Sequence, residues 1–170
     1  MFRKALCFVL LLLLGLSSAV NNSFAAGAGP LNSPDKLGDD EYHIYELVNR
    51  ERARMHLSRL QWDDQLADLA RSYSEQMADG NFFSHYDRSG ETVVQRAQQL
   101  RIKGWARIGE NLFETYGLDD LSAFAVRGWM RSPSHRENIL DRGWDATGIG
   151  IAVARNGKVY ITEVFTQDHH

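Results

Sequence analysis

The chain holds a single cysteine in 170 residues, and that one, Cys7, lies inside an apolar run near the N-terminus. If the run is removed, no thiol remains. A disulfide framework is then closed to this fold, and its stability has to come from a packed core. A run long enough to cross a membrane is also missing: Ala5 to Leu16 is twelve residues, against about 20 for a spanning helix. Nor is there an excess of positive charge. The formal net charge is −3, which argues against a phosphate backbone or an anionic membrane surface as partner, so no nucleic acid is expected. The sequence shows no internal repeat and no low-complexity tract. It has no Gly-x-Ser-x-Gly elbow and no His-Glu-x-x-His helix, which removes two familiar hydrolase signatures.

What is present begins with a basic start, Arg3 and Lys4, then the apolar run, then a small and polar stretch from Ser17 to Ala28. This pattern reads as a secretory signal peptide over residues 1–25, with cleavage after Ala25 or Ala28. Its loss takes away two bases and no acid, moving the net charge from −3 to −5. Residues 26–37, rich in Ala, Gly, Asn and Ser, read as a flexible leader. One domain of ordinary size follows over 38–167, long enough to bury a core. The expected location is secreted or periplasmic, with no stable membrane span after cleavage.

Within the domain, Asp39 or Asp40 is placed to cap a helix carrying Ile44, Leu47, Val48 and Met55. A second helix is expected over 63–79, where Leu66, Leu69, Ala70, Tyr73 and Met77 recur every three or four residues and Gly80-Asn81 ends the pattern. Residues 82–90 are too polar and glycine-punctuated for a regular element, which puts His85 on a loop. A short helix is expected over 91–100, a strand over 107–116, and a helix over 119–131 with Leu121, Phe124, Ala125 and Trp129 turned inward. Ser132 before Pro133 fits a cap with proline at the first helical position, and Ser134 with Glu137 fits a capping box; either choice puts His135 in a first turn. Two β-rich runs, 148–154 and 158–166, flank Asn156-Gly157, a strong hairpin signal. Helices first and a hairpin last, without a βαβ rhythm, make the class α+β, with helices covering an antiparallel sheet.

The residues of greatest chemical value fall in three short segments: Phe83-Ser84-His85-Tyr86-Asp87, Gly109-Glu110-Asn111-Leu112, and Ser132 through Leu140. Two imidazoles and a carboxylate are the ligand set of an open zinc site whose fourth position holds water. His85, Glu110 and His135 are spread over fifty residues, so spacing alone gives that reading no support. A structural reading competes for each: His85 bonding its loop and Asp87, Glu110 a satisfied carboxylate at a sheet edge, His135 a first-turn residue balanced by Glu137. His169-His170 reads as a frayed end.

Taken in order, with Gly90, Trp129 and Gly148-Ile149-Gly150, these segments resemble the CAP (SCP) superfamily of cysteine-rich secretory proteins, antigen 5 and pathogenesis-related type 1 proteins. The cysteine-free bacterial branch is the nearer likeness. The resemblance covers about 40–166 and implies a three-layer α-β-α sandwich with a cleft lined by His85, Glu110 and His135. Asp87 and Ser132 are the further cleft residues it suggests, Ser132 standing where eukaryotic members carry a second glutamate. It implies a small ligand of lipid or sterol type, or a cell-surface component, with Zn2+ or another divalent metal held by His85, His135 and Glu110. A metal-assisted hydrolase of peptide or envelope material, with Glu110 as its base, is one alternative. A structural or adhesive surface domain is the other.

Overall fold

The computed structural model describes residues 34–117 and 120–168. The expected signal peptide, most of the leader and the His169-His170 pair lie outside the described residues. Helix α1 (Pro34–Arg54) begins earlier than Asp39, so the last four residues of the expected leader form its first turn. Proline tolerates that position because its missing N–H would have no intrahelical partner. A Lys36–Asp40 ion pair (2.7 Å) spans the next turn, and Leu37 packs on the core. Ile44 and Val48 are buried as the spacing predicts and Leu47 packs half-buried against them, Tyr45 joins the core unannounced, and Met55 lies beyond the helix end, 48 % exposed.

After α1 the chain turns back through buried Leu60, whose carbonyl accepts from the Tyr45 hydroxyl (3.0 Å). It then forms the two-residue strand β1 (Gln61–Trp62), which no periodicity announces. Helix α2 (Asp64–Gly80) is capped by Asp63, whose carboxylate accepts from the Leu66 N–H (3.0 Å), and ends on Asn81 in the left-handed region (φ 49°). Helix α3 (Val93–Gln99) starts with a capping box in which Gln95 accepts from the Thr92 N–H (2.9 Å). Next come strand β2 (Trp105–Tyr116), helix α4 (Leu121–Arg131) and helix α5 (Pro133–Leu140) with Ser132 at its cap and proline at its start. Strands β3 (Ala146–Val153) and β4 (Lys158–Asp168) close the hairpin over Asn156-Gly157, where Gly157 adopts φ 81°.

The sheet order is β1-β3-β4-β2. Its long pairings, β3 with β4 and β4 with β2, are antiparallel as expected, while β1 joins β3 in parallel and makes the sheet mixed. Alternation along β3 and β4 supplies both layers of core. On one face Ile149, Ile151, Val159, Ile161 and Phe165 meet Ile44, Val48, Leu121, Trp129 and Ile139 of α1, α4 and α5. On the other, Val164 meets Leu66, Leu69 and Ala70 of α2 with Val93 and Ala97 of α3, while Tyr160 meets Tyr73 and Met77. The result is the expected α-β-α sandwich. Phe124 departs from expectation: it is 43 % exposed and meets Phe113 edge-on (5.8 Å between ring centres) instead of entering the core.

Two contacts fix the layers closely. A side chain at Gly148 would place its Cβ 2.1 Å from the Ala67 nitrogen, and one at Gly150 would stand 2.0 Å from the Arg71 nitrogen. The glycines let α2 lie directly on β3. On the opposite side, buried Glu41 of α1 accepts from the Ile151 N–H of β3 (3.0 Å) and pairs with Arg71 of α2 (2.9 Å). A backbone donor that the short β1 does not reach is thereby satisfied.

Candidate functional site

Glu110 sits in the middle of β2, paired with Val164 of β4, so its side chain leaves the sheet on the α2–α3 face. It is buried, with 5 % of its side chain exposed, and both oxygens are engaged. Oε2 accepts from Arg96 Nη2 of α3 at 2.7 Å, and Oε1 lies 2.9 Å from Nδ1 of His85. A carboxylate held by a buried guanidinium only accepts, so Nδ1 of a neutral His85 carries the proton and Nε2 keeps its lone pair. His85 is on the loop the sequence predicts, with half its side chain exposed.

That loop is held on several sides. The Tyr73 hydroxyl donates to the Ser84 carbonyl (2.6 Å), and burial pushes its pKa up to about 12, so it stays a donor. Arg96 stacks on the Tyr73 ring (3.3 Å to its centre) and donates through Nη1 to the carbonyls of Glu91 (2.9 Å) and His85 (3.4 Å). The Asp87 carboxylate is engaged within its own loop, where it accepts from the N–H groups of Glu91 (2.9 Å) and Ser89 (2.8 Å). Those backbone donors, Glu91 first, hold its carboxyl below the ordinary range. It shapes the loop, as aspartates in tight turns do.

His135 approaches from the other layer, in the first turn of α5. Its carbonyl accepts from the Asn111 side chain (3.1 Å), and the oxygen of that amide accepts from Asn138 (3.0 Å), which also donates to the Glu110 carbonyl (3.2 Å). Desolvation lowers the pKa of His135, and the nearness of His85 lowers it further. His135 is thereby biased toward its neutral form. Ser132 does not join them: its Oγ lies 3.5 Å from Ser134 Oγ and makes no bond to His85, Glu110 or His135 among the described residues.

The structure therefore brings His85, Glu110 and His135 into one neighbourhood but does not make them equal ligands. No three His, Cys, Asp or Glu side chains form a group able to hold a metal ion among the described residues. Glu110 has the place of a carboxylate behind a histidine, the usual partner of a metal-binding or catalytic imidazole. Arg96 escaped the sequence reading because it looks like the polar side of α3. Its one signal was a basic residue between the apolar positions Val93 and Ala97 of so short a helix.

A three-layer α-β-α sandwich whose edge strand carries a glutamate bonded to a loop histidine defines the class. The chain belongs to the CAP (cysteine-rich secretory protein) family, whose model matches residues 45–168. It is 29 % identical over 132 residues to YlbC, an uncharacterized membrane protein of Bacillus subtilis, covering 72 % of this chain and 37 % of that one. It is 29 % identical over 129 residues to YkwD of the same organism, covering 76 % and 48 %. An extracellular SCP-domain protein of Bacillus anthracis superposes with a TM-score of 0.68 at 32 % identity, over 83 % of this chain and 45 % of that one. An outer surface protein of Borrelia burgdorferi shares the fold, with a TM-score of 0.69 at 21 % identity over 77 % and 94 %. The chain spans less than half the length of the two Bacillus subtilis relatives and of the Bacillus anthracis protein. No described helix is long and apolar enough to cross a membrane.

Proposed function

We propose that this chain is an exported ligand-binding domain whose ligand, a small molecule or a cell-surface component, is held between His85 and His135. The observation that carries the proposal is the asymmetric pair: His85 with its Nδ1 2.9 Å from Glu110 Oε1, which turns Nε2 to the ligand, and His135 with its neutral form favoured. Each presents an acceptor nitrogen, which suits a ligand hydroxyl, amide or bound cation. Export is supported by the reading of residues 1–25 as a signal peptide, and sequencing the N-terminus of the mature protein tests it.

The donor set also fits a divalent metal such as Zn2+, with His85 and His135 as its protein ligands and Glu110 behind His85 rather than on the ion. Such an ion would supply Lewis acidity toward a ligand oxygen. The chain's own part is to hold His85 in one orientation against Glu110 and to favour the neutral form of His135. The hydrolase alternative is less well supported, because both oxygens of Glu110 are already engaged and neither is free to take a proton from water.

Zinc titration of the mature protein between about pH 5 and 8 tests the pair. Affinity should fall with pH, steepening toward about a hundredfold per unit with two histidines and about tenfold with one. His85→Ala and His135→Ala should each abolish tight binding. Undiminished binding in both variants would end the assignment.

A further inference from the structure

Arg96 is almost wholly enclosed, on a helix of seven residues, and touches three different elements. Its Nη2 meets Glu110 of β2, its Nη1 meets the carbonyls of His85 and Glu91, and its plane covers Tyr73 of α2. The guanidinium thus holds His85 at both ends, directly through the backbone carbonyl and indirectly through the carboxylate that receives the ring. Its Nε has no partner among the described residues. A buried cation with an unsatisfied donor is a costly way to join α3 to the sheet, and a leucine would pack there without either cost.

We infer that Arg96 is the positioning residue of the site: by holding Glu110 in place it fixes the proton of His85 on Nδ1 and leaves Nε2 as the atom offered to the ligand. His135 has no such device, since its ring nitrogens meet no partner among the described residues and only its carbonyl is held. The two histidines are therefore inequivalent, one with a set tautomer and one whose tautomer the ligand selects. Lysine would not substitute, because a single ammonium head does not span two carbonyls and a carboxylate as a planar fork does.

The inference concerns the protein without ligand and rests on the proposed function only for its metal readout. Long-range nitrogen–proton NMR at about pH 8, where ordinary histidines are neutral, should show His85 protonated on Nδ1 and bare at Nε2. In Arg96→Lys and Arg96→Gln the proton should spread over both nitrogens of His85 while the His135 signals stay put. His85 protonated on Nε2 in the wild type would overturn the inference. So would an unchanged His85 in both variants, equal disturbance of His135, or loss of the fold in both variants, which would assign Arg96 to structure alone. Zinc affinity should drop about 10–100-fold in Arg96→Lys. If the wild type shows the expected tautomer but binds no zinc, the metal reading fails and this inference stands.

Discussion

The carboxyl of Glu163 and the guanidinium of Arg52 are both fully buried, yet they form no ion pair with each other. Arg52 donates instead to the carbonyls of Ser58 (2.9 Å), Ile139 (2.8 Å) and Asp141 (2.8 Å), tying the end of α1 to the end of α5. Glu163, in the middle of β4, receives the Thr147 hydroxyl at 3.4 Å, and its Oε2 has no partner among the described residues. Burial pushes its pKa up to about 8, the distant charge of Arg52 pulling only weakly the other way. A neutral acid in the core is the physical outcome.

Stability should therefore depend on pH through Glu163. The folded pKa lies above the ordinary 4.5, so between these values the folded chain keeps a proton that the unfolded chain releases. This contribution is complete below about pH 4.5 and is lost as pH rises to about 8. Glu163→Gln removes that dependence. The variant should gain thermal stability relative to the wild type, by a few kcal/mol in order of magnitude at pH 8, with the gap shrinking toward pH 4.5. A gap independent of pH would show that the group is ionised inside the fold.

His135 gives a dependence of opposite sense. Its folded pKa is lowered from 6.5 by desolvation and by His85, so below about pH 6.5 the unfolded chain takes up a proton more readily and stability falls. Chemical denaturation at pH 5 and 7.5 should show a smaller acid loss in His135→Asn than in the wild type. Equal loss in the two would mean that desolvation of this imidazole is slight.

Trp129 and Phe124 share one helix but should differ sharply when cut to alanine. The tryptophan is fully buried and its Nε1 donates to the Leu112 carbonyl (3.0 Å), so Trp129→Ala should lose roughly 3–5 kcal/mol. Phe124→Ala, on the exposed side, should lose less than about 1 kcal/mol. Urea midpoints of the two variants measure the difference, and similar losses would contradict the placement of Phe124.

Gly150→Ala should be more harmful than its single methyl suggests. The new Cβ would stand 2.0 Å from the Arg71 nitrogen and 2.3 Å from the Ala70 carbonyl carbon, both backbone atoms of α2. The helix has to lift from the sheet, so the loss should reach or exceed the upper end of the roughly 1–3 kcal/mol usual for overpacking. Gly157→Asn, in an open turn that tolerates a positive φ in asparagine, should be mild by comparison. Thermal midpoints rank the pair.

The parts of the fold that were legible in the sequence are those whose cause is local. Helix α2 announces itself by its stripe and its two caps, and the last hairpin by Asn156-Gly157. What was hidden is set by distant partners. β1 exists because the carbonyls of Asp145 and Thr147 accept from the N–H groups of Gln61 (2.9 Å) and of Asp63 just beyond it (3.0 Å), not because Gln61-Trp62 has any pattern. The same holds for the site. His85 and His135 stand out by residue type and motif order, whereas Arg96 takes its meaning from Glu110, fourteen residues away. Asp87 and Ser132 stand out only through the family motifs, and their hydrogen bonds belong to a turn and a helix start.

Glu41 on the Ile151 N–H has a consequence for how copies of this protein meet. At the opposite rim of the sheet, side chains of Asn138 and Trp129 take the carbonyls of Glu110 and Leu112, so both rims carry plugs donated by helices. Strand ends left bare are templates on which neighbouring molecules zip together. A domain without disulfide staples would be exposed to that hazard each time it breathes. Here the plugs travel with the helices, so a rim of the sheet is opened only when α1, α4 or α5 comes away, and resistance to clumping is set by helix docking.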